Sequence, residues 1–494
     1  MLNRASGILL HVTSLPGPFG IGTMGTEARK FVDFLAETGF GLWQVLPFGP
    51  TGEYHSPYQC YSAFAGDVNL IDFRLLEEQG LLSREEVEGC YHKGSPYEAD
   101  FAWQETMRDS VLRKAYKRSL QLKTWQKNIA AFVTEESYWL PDYACYTALK
   151  KKYNGTPWWE WPADAKETLE DKDEIGFVYF CQYVFFQQWK NLKAYANEKN
   201  IKIIGDMPIY VSGDSADAWS KADLFEFNAD FSMKRVAGVP PDYFSEDGQL
   251  WGNPLYDWDA MEKDGYDWWI HRMGTALTMF DAVRIDHFRG FVAYWAVPAE
   301  SNTAKNGAWV QGPGHKLFDA ILNVYPNAAI IAEDLGDITE DVRQFVEETG
   351  FPGMRVMQFG FLDGENNPHL PHNYIQNAVA YTGTHDNNTV LGWLWEATGE
   401  QRERALEYCN FQGNDWGEGG YRSKPCFSWI QTLLGSVAGW AILPIQDLCG
   451  FGSDTRMNKP GIAENNWAFR ITQEALNAVA KEQIQKLNRI YKRG

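Results

Sequence analysis

The chain has 494 residues, 45% of them hydrophobic, and a formal net charge of −20 at pH 7, so it can bury a large core and suits neither disorder nor nucleic acid or anionic membrane as a partner. No apolar run reaches the roughly 20 residues that span a bilayer, and residues 7–12 are too short for the apolar region of a signal peptide. Seven cysteines without a C-x-x-C pair predict reduced thiols, a cytoplasmic location and no zinc site.

Short apolar runs that end in Gly, Pro or polar residues predict strands at 7–10, 41–47, 202–211, 282–286, 328–334, 354–361, 378–386 and 441–447. Helical periodicity lies between several of them, at 27–38, 266–280, 315–324 and 339–349. About eight strands alternating with helices predict an α/β fold, a (β/α)8 TIM barrel spanning 1–494 as one catalytic domain. The second and third strands stand too far apart for one βα unit. The stretch 49–200 is therefore expected to be an inserted, mostly helical subdomain, with helices near 101–122, 125–135 and 178–198. A smaller insertion, 212–266, carries a Pro-, Gly- and aromatic-rich loop at 239–254, which reads as a lid over the barrel mouth. The segment 471–492 reads as a helix, with no strand-rich tail of the β-sandwich kind.

The 21 Trp, 24 Tyr and 29 Phe exceed what packing normally needs. Clusters such as WWEW at 158–161 and WLW at 393–395 sit awkwardly in a core. Flat apolar faces beside polar groups suit sugar rings, although for any single Trp packing remains the simpler reading.

Three strand ends carry acids. The run DAVRIDHFRG at 281–290 passes from buried strand to Arg284, Asp286 and His287. An arginine two residues before an aspartate shares its face and is expected to keep Asp286 ionised. AAIIAEDLG presents Glu333 among apolar neighbours, which raise a carboxyl pKa, and AYTGTHDNN presents His385 and Asp386. Barrel closure brings such strand ends around one pocket. A nucleophilic carboxylate and a second carboxyl held protonated are what retaining glycosyl chemistry requires. Structural ion pairs at strand ends are the alternative reading.

AVRIDHFRG, IIAEDLG and YTGTHDNNT, in that order, resemble signature regions of the α-amylase clan. With GILLHVTSLPGPFGIG, QVLPFGPTGEYHSPYQCYSAFAGD, IIGDMPIYVSGDSADAW, GVPPDYFSEDGQLWGNPLYDW and LPIQDLCGFGSDTRMNKPG they resemble more closely the 4-α-glucanotransferase family (amylomaltase or disproportionating enzyme, glycoside hydrolase family 77), from about residue 7 to 462. The strand IGDMPIYV carries Asp206 without the histidine that follows it in α-amylases, which is the glucanotransferase form. The resemblance implies Asp286 as nucleophile, Glu333 as acid/base and Asp386 as transition-state stabiliser. It implies that Arg284 orients Asp286, that His385 binds the donor sugar, and that Tyr58 and Ser56 line the site, with Tyr58 stacking on the donor glucose. Asp206, Asp242, Trp251 and Asp363 are further implied substrate contacts, and His287 is either a substrate contact or a packing residue. It further implies no cofactor, no metal, and α-1,4-glucans (maltooligosaccharides, starch or glycogen chains) as substrates of a monomer or weak homodimer. A hydrolase using the same acids, and a glucan-binding protein without chemistry, are the competing readings. His11 interrupts an apolar run, and the sequence assigns it no role.

Overall fold

A computed structural model describes residues 2–52, 54–241, 246–362, 364, 366–462 and 464–494. Among them twelve strands form in chain order: β1 (Ala5–Leu9), β2 (Leu42–Gln44), β3 (Lys202–Met207), β4 (Arg235–Val239), β5 (Gln249–Pro254), β6 (Ala282–Ile285), β7 (Ala293–Pro298), β8 (Ala308–Gln311), β9 (Ile330–Ala332), β10 (Gly353–Val356), β11 (Ala378–Tyr381) and β12 (Trp440–Pro444). Eight of them close a barrel in the order β1-β12-β11-β10-β9-β6-β3-β2, with every neighbour parallel. Each of the eight runs expected from the sequence supplies one barrel strand. The paired part is shorter than expected at the C-terminal ends, where the polar residues leave the ladder for loops.

Both faces of a parallel barrel strand are covered, so the apolar runs are nearly continuous. All four residues of β6 are buried. Gly7 stands opposite Leu42, where a β-carbon would lie 2.5 Å from the leucine Cβ; its absence lets β1 and β2 pair closely. The expected outer helices appear as Thr26–Thr38, Asp267–Met279, His315–Val324 and Glu340–Thr349.

Between β2 and β3 lie the helices Phe101–Ser119, Lys123–Glu135, Leu140–Lys152 and Lys172–Glu198. The last joins this region to the barrel. Its Trp189 indole donates to Met279 O at 2.9 Å. Gln182 exchanges two hydrogen bonds with the Gly66 backbone, both 2.9 Å, and Gln188 does the same with Asp72 at 2.8 and 3.0 Å. These amide clamps fix the stretch 66–72, which follows the Tyr58 loop and contains the 3-10 turn Val68–Leu70.

The stretch 239–254 is not simply a loop. Its flanks are β4 and β5, and with β7 and β8 they form a four-stranded antiparallel sheet, β5-β4-β7-β8. Gly248 and Gly252 hold φ of +67° and +76°, a conformation glycine adopts without steric cost. After β12 the described residues form short helices. The helix expected over 471–492 is two, Gln473–Ala478 and Lys481–Ile490, parted where Val479 turns into the core. Much of the aromatic excess also packs inward. Trp158 and Trp161 are buried, Trp161 against Tyr146 and Trp219 at 5.5 and 6.0 Å, and Trp393 lies 5.3 Å from Trp429.

Candidate active site

Arg284 is the third residue of β6, and its register partner on β3 is Asp206. Their side chains are 4% and 0% exposed. A buried guanidinium needs counter-charge and full hydrogen bonding, and Arg284 has both. Nη1 donates to Asp206 Oδ1 and Oδ2 at 2.7 and 2.8 Å, and Nη2 donates to Asp286 Oδ1 at 2.9 Å. Burial opposes the charge, but Asp206 and then Asp286 outweigh it and hold the group firmly protonated.

Asp286 departs from the expected sign. Burial raises its carboxyl above the ordinary range; Arg284 opposes this, and repulsion from Asp206 and Asp386 adds to it. Arg284 does not depress Asp286 outright because most of its charge is answered by Asp206. Glu333, one residue beyond β9, is held by backbone: His287 N–H donates to Oε2 at 2.6 Å and Leu335 N–H to Oε1 at 2.9 Å. Burial raises this carboxyl too, against Arg284 and with help from Asp286. Arg284 bonds directly to Asp286 and not to Glu333, so Glu333 is the later of the two to lose its proton.

Asp386 lies in the loop after β11, and its side chain is 43% exposed. Asn458 Nδ2 donates to its Oδ1 at 2.6 Å, and His385 Nε2 stands 3.3 Å from the same oxygen. Arg456 donates to the Asp386 carbonyl at 2.5 Å, and Asn458 N–H donates to His385 O at 3.0 Å. Tyr58 reaches in from the connection between β2 and β3. Its hydroxyl donates to Asp206 Oδ2 at 2.7 Å, while its ring stacks on His385 (5.1 Å, 15°) and leans on Trp467 at 5.8 Å. One face of Tyr58 is thus taken by His385. Ser56 turns its hydroxyl toward the Tyr58 N–H at 3.4 Å, within its own loop. Trp251 on β5 meets the His287 ring edge to face at 4.8 Å. The structure therefore brings together Asp206, Arg284, Asp286, His287, Glu333, His385, Asp386, Tyr58 and Trp251. Asp242 and Asp363 lie outside the described residues.

Asn458, Arg456 and Trp467 escape the sequence reading as site residues. Asn458 and Arg456 stand in TRMNKPG, downstream of β12, and the chain order of the strands places that segment beside β11 once the barrel closes. His11 follows β1 and is buried. Its Nδ1 accepts the Leu46 N–H at 3.2 Å, so a neutral ring carries its proton on Nε2. Burial, then His385, pushes its pKa down to about 3. It shares with Ser14, Thr384, His385, Gln446 and Arg456 the lining of a recess. Among the described residues no group of three or more His, Cys, Asp or Glu side chains is placed to hold a metal ion, and no helix is long and apolar enough to cross a membrane.

A parallel barrel with carboxyl groups just beyond the ends of β6, β9 and β11, and a buried Arg–Asp pair in the strands leading to them, defines a TIM-barrel enzyme with carboxylate chemistry at its C-terminal mouth. A family model described as 4-alpha-glucanotransferase matches residues 10–476. The chain is 44% identical to a 4-alpha-glucanotransferase of Clostridium butyricum over 98% of this chain and 100% of that protein. It is 45% identical to one of Thermus thermophilus over 95% of each. Among solved structures, amylomaltase from Streptococcus agalactiae in complex with acarbose superposes with a TM-score of 0.94 at 40% identity, covering 100% of both chains. The chain belongs to the 4-alpha-glucanotransferase family.

Proposed function

We propose that this site moves a segment of an α-1,4-glucan onto the 4-hydroxyl of an acceptor glucose or maltooligosaccharide, by two displacements that retain configuration. In the first, an Asp286 oxygen attacks the anomeric carbon of the donor sugar. The glycosidic C–O bond breaks toward the leaving chain, whose oxygen takes the proton of Glu333. In the second, the acceptor hydroxyl gives its proton to the Glu333 carboxylate and attacks the same carbon, breaking the ester to Asp286. Asp386, with Oδ1 fixed by Asn458, faces the sugar hydroxyls and the charge that develops on the ring. Arg284 keeps Asp286 oriented for attack, and His385 and Tyr58 wall the donor position.

The observation that carries this reading is the division of labour between two raised carboxyls. One is bonded to a guanidinium and the other to backbone N–H groups only, the asymmetry an acid and a nucleophile require. Water in the acceptor position gives hydrolysis by the same acids. Incubation with maltotriose followed by chromatography separates the outcomes: glucose with a ladder of longer maltooligosaccharides supports transfer, whereas net release of reducing ends without longer chains overturns it. Glu333→Gln should lose activity on maltotriose by about 10²–10⁴-fold but keep glycosylation by α-maltosyl fluoride, whose leaving group needs little protonation. Full activity on maltotriose removes Glu333 from the acid's role.

A further inference from the structure

His287 holds a backbone conformation that its β-carbon disfavours. Its φ is +50°, in the left-handed region where non-glycine residues are uncommon and their presence points to function. The turn is closed behind it by Gly290 N–H on His287 O at 2.9 Å and by Phe288 N–H on Glu333 O at 3.1 Å. Two contacts of His287 itself reach different elements. Its N–H is spent on Glu333 Oε2 at 2.6 Å, while its ring meets Trp251 edge to face, 4.8 Å between centroids and 81° between planes. Trp251 belongs to β5, outside the barrel. Glycine would adopt this φ more readily, but it offers no ring for a tryptophan to rest on.

We propose that His287 is a positioning residue for Glu333: the contact with Trp251 keeps the left-handed turn populated, and the turn keeps an N–H aimed at the acid/base carboxylate. The inference rests on the acid/base role given above to Glu333. An N–H directed at a carboxylate oxygen favours the ionised form. It works with Leu335 N–H and Arg284 against burial and Asp286. Of the other charges nearby, Arg289 in the same turn donates to Asp337 O and stacks on Trp309 at 4.1 Å. On the β10 side, Arg355 is bonded to Asp334 at 3.0 Å. Burial, then Arg289, pushes the His287 ring down to about 3, so the ring acts as a neutral surface. The hairpin that carries Trp251 is thereby coupled to the ease with which Glu333 gives up and retakes its proton.

The test is the pH profile of kcat/KM on maltotriose, whose basic limb reports the acid/base group of the free enzyme. Trp251→Ala should move that limb upward by about one unit, the loss expected for one hydrogen bond to a charged group. His287→Gly should leave it near wild type, because glycine keeps the turn without a brace. In the His287→Gly background, Trp251→Ala should then move it no further. A limb unmoved by Trp251→Ala, or moved equally in both backgrounds, overturns the inference. Should Trp251→Ala fail to fold, as judged by circular dichroism, Trp251→Leu carries the same comparison. Glu333→Gln separates the two levels. If the basic limb persists in it, the acid/base reading fails. If the limb vanishes there yet ignores Trp251, only the positioning role does.

Discussion

Asp206 takes both bonds from one Arg284 nitrogen and leaves Asp286 a single bond from the other. Asp206→Asn removes a competing charge and frees Arg284 for Asp286. The Asp286 carboxyl, raised partly by Asp206, should fall, and the acidic limb of kcat/KM should move down by about one unit. An unmoved limb would show that Asp206 does not govern Asp286. Asp286→Asn should abolish transfer by at least about 10³-fold, since an amide forms no glycosyl ester. Its stability should move the other way. A carboxyl raised in the folded state binds its proton more tightly there than in the unfolded chain. Its contribution to stability is therefore lost as pH rises through the unfolded and then the folded pKa. At neutral pH the Asn variant should melt at or above the wild-type temperature; a marked fall would mean that Asp286 is a structural ion pair. The acids were legible because each follows an apolar strand. The sign at Asp286 was not, because Asp206 stands 78 residues from Arg284 and meets it only through barrel register.

At the scale of elements, the eight barrel strands announce themselves by continuous apolar runs, because both faces are covered. The sheet β5-β4-β7-β8 does not. The burial of β8 is exposed, exposed, intermediate, exposed, and the stretch AWVQ gives no alternation to read. Such strands are specified by their partners more than by their own composition. The hairpin of β4 and β5 is pinned at its base, where Asn253 Nδ2 donates to Val211 O at 2.8 Å, and Trp251 lies two residues away. If Trp251 covers the donor position, Trp251→Ala removes apolar cover from it. One such contact is worth roughly 1–3 kcal/mol, enough to shift the partition between acceptor sugar and water by about tenfold. The measurement is the ratio of transfer products to new reducing ends at fixed maltotriose. A constant ratio with a uniformly lower rate would leave Trp251 as a packing residue alone.

Across the whole molecule, the seam between β1 and β12 is tied by residues far apart in the chain. The Arg493 guanidinium, 1% exposed, donates to the carbonyls of Ala5, Leu434, Ser436, Ala438 and Gly439 at 2.7 to 3.1 Å. Asn488 accepts the Ser6 hydroxyl at 2.7 Å and donates to Thr38 O at 3.0 Å. Hydrogen bonds from a charged donor are worth more than neutral ones, and buried carbonyls left bare are costly. Arg493→Ala should therefore destabilise the fold by about 3–5 kcal/mol, seen as a lower melting temperature with activity lost in step. An unchanged melting curve would mean that water replaces the guanidinium without loss. No sequence pattern marks this arginine: it is one basic residue in YKRG, and its role exists only once the barrel has closed.

That seam also sets an order of events during synthesis. β1 leaves the ribosome well before its neighbour β12, which begins at Trp440, and the guanidinium that ties them lies 488 residues beyond Ala5. At roughly 5–20 residues per second, β1 waits on the order of 20–100 s with one edge unpaired. An apolar strand with a bare edge invites pairing with the wrong chain. The nascent protein is thus most vulnerable in the interval before β12 emerges, and its closure is governed by the arrival of β12 and of the Arg493 segment that follows it.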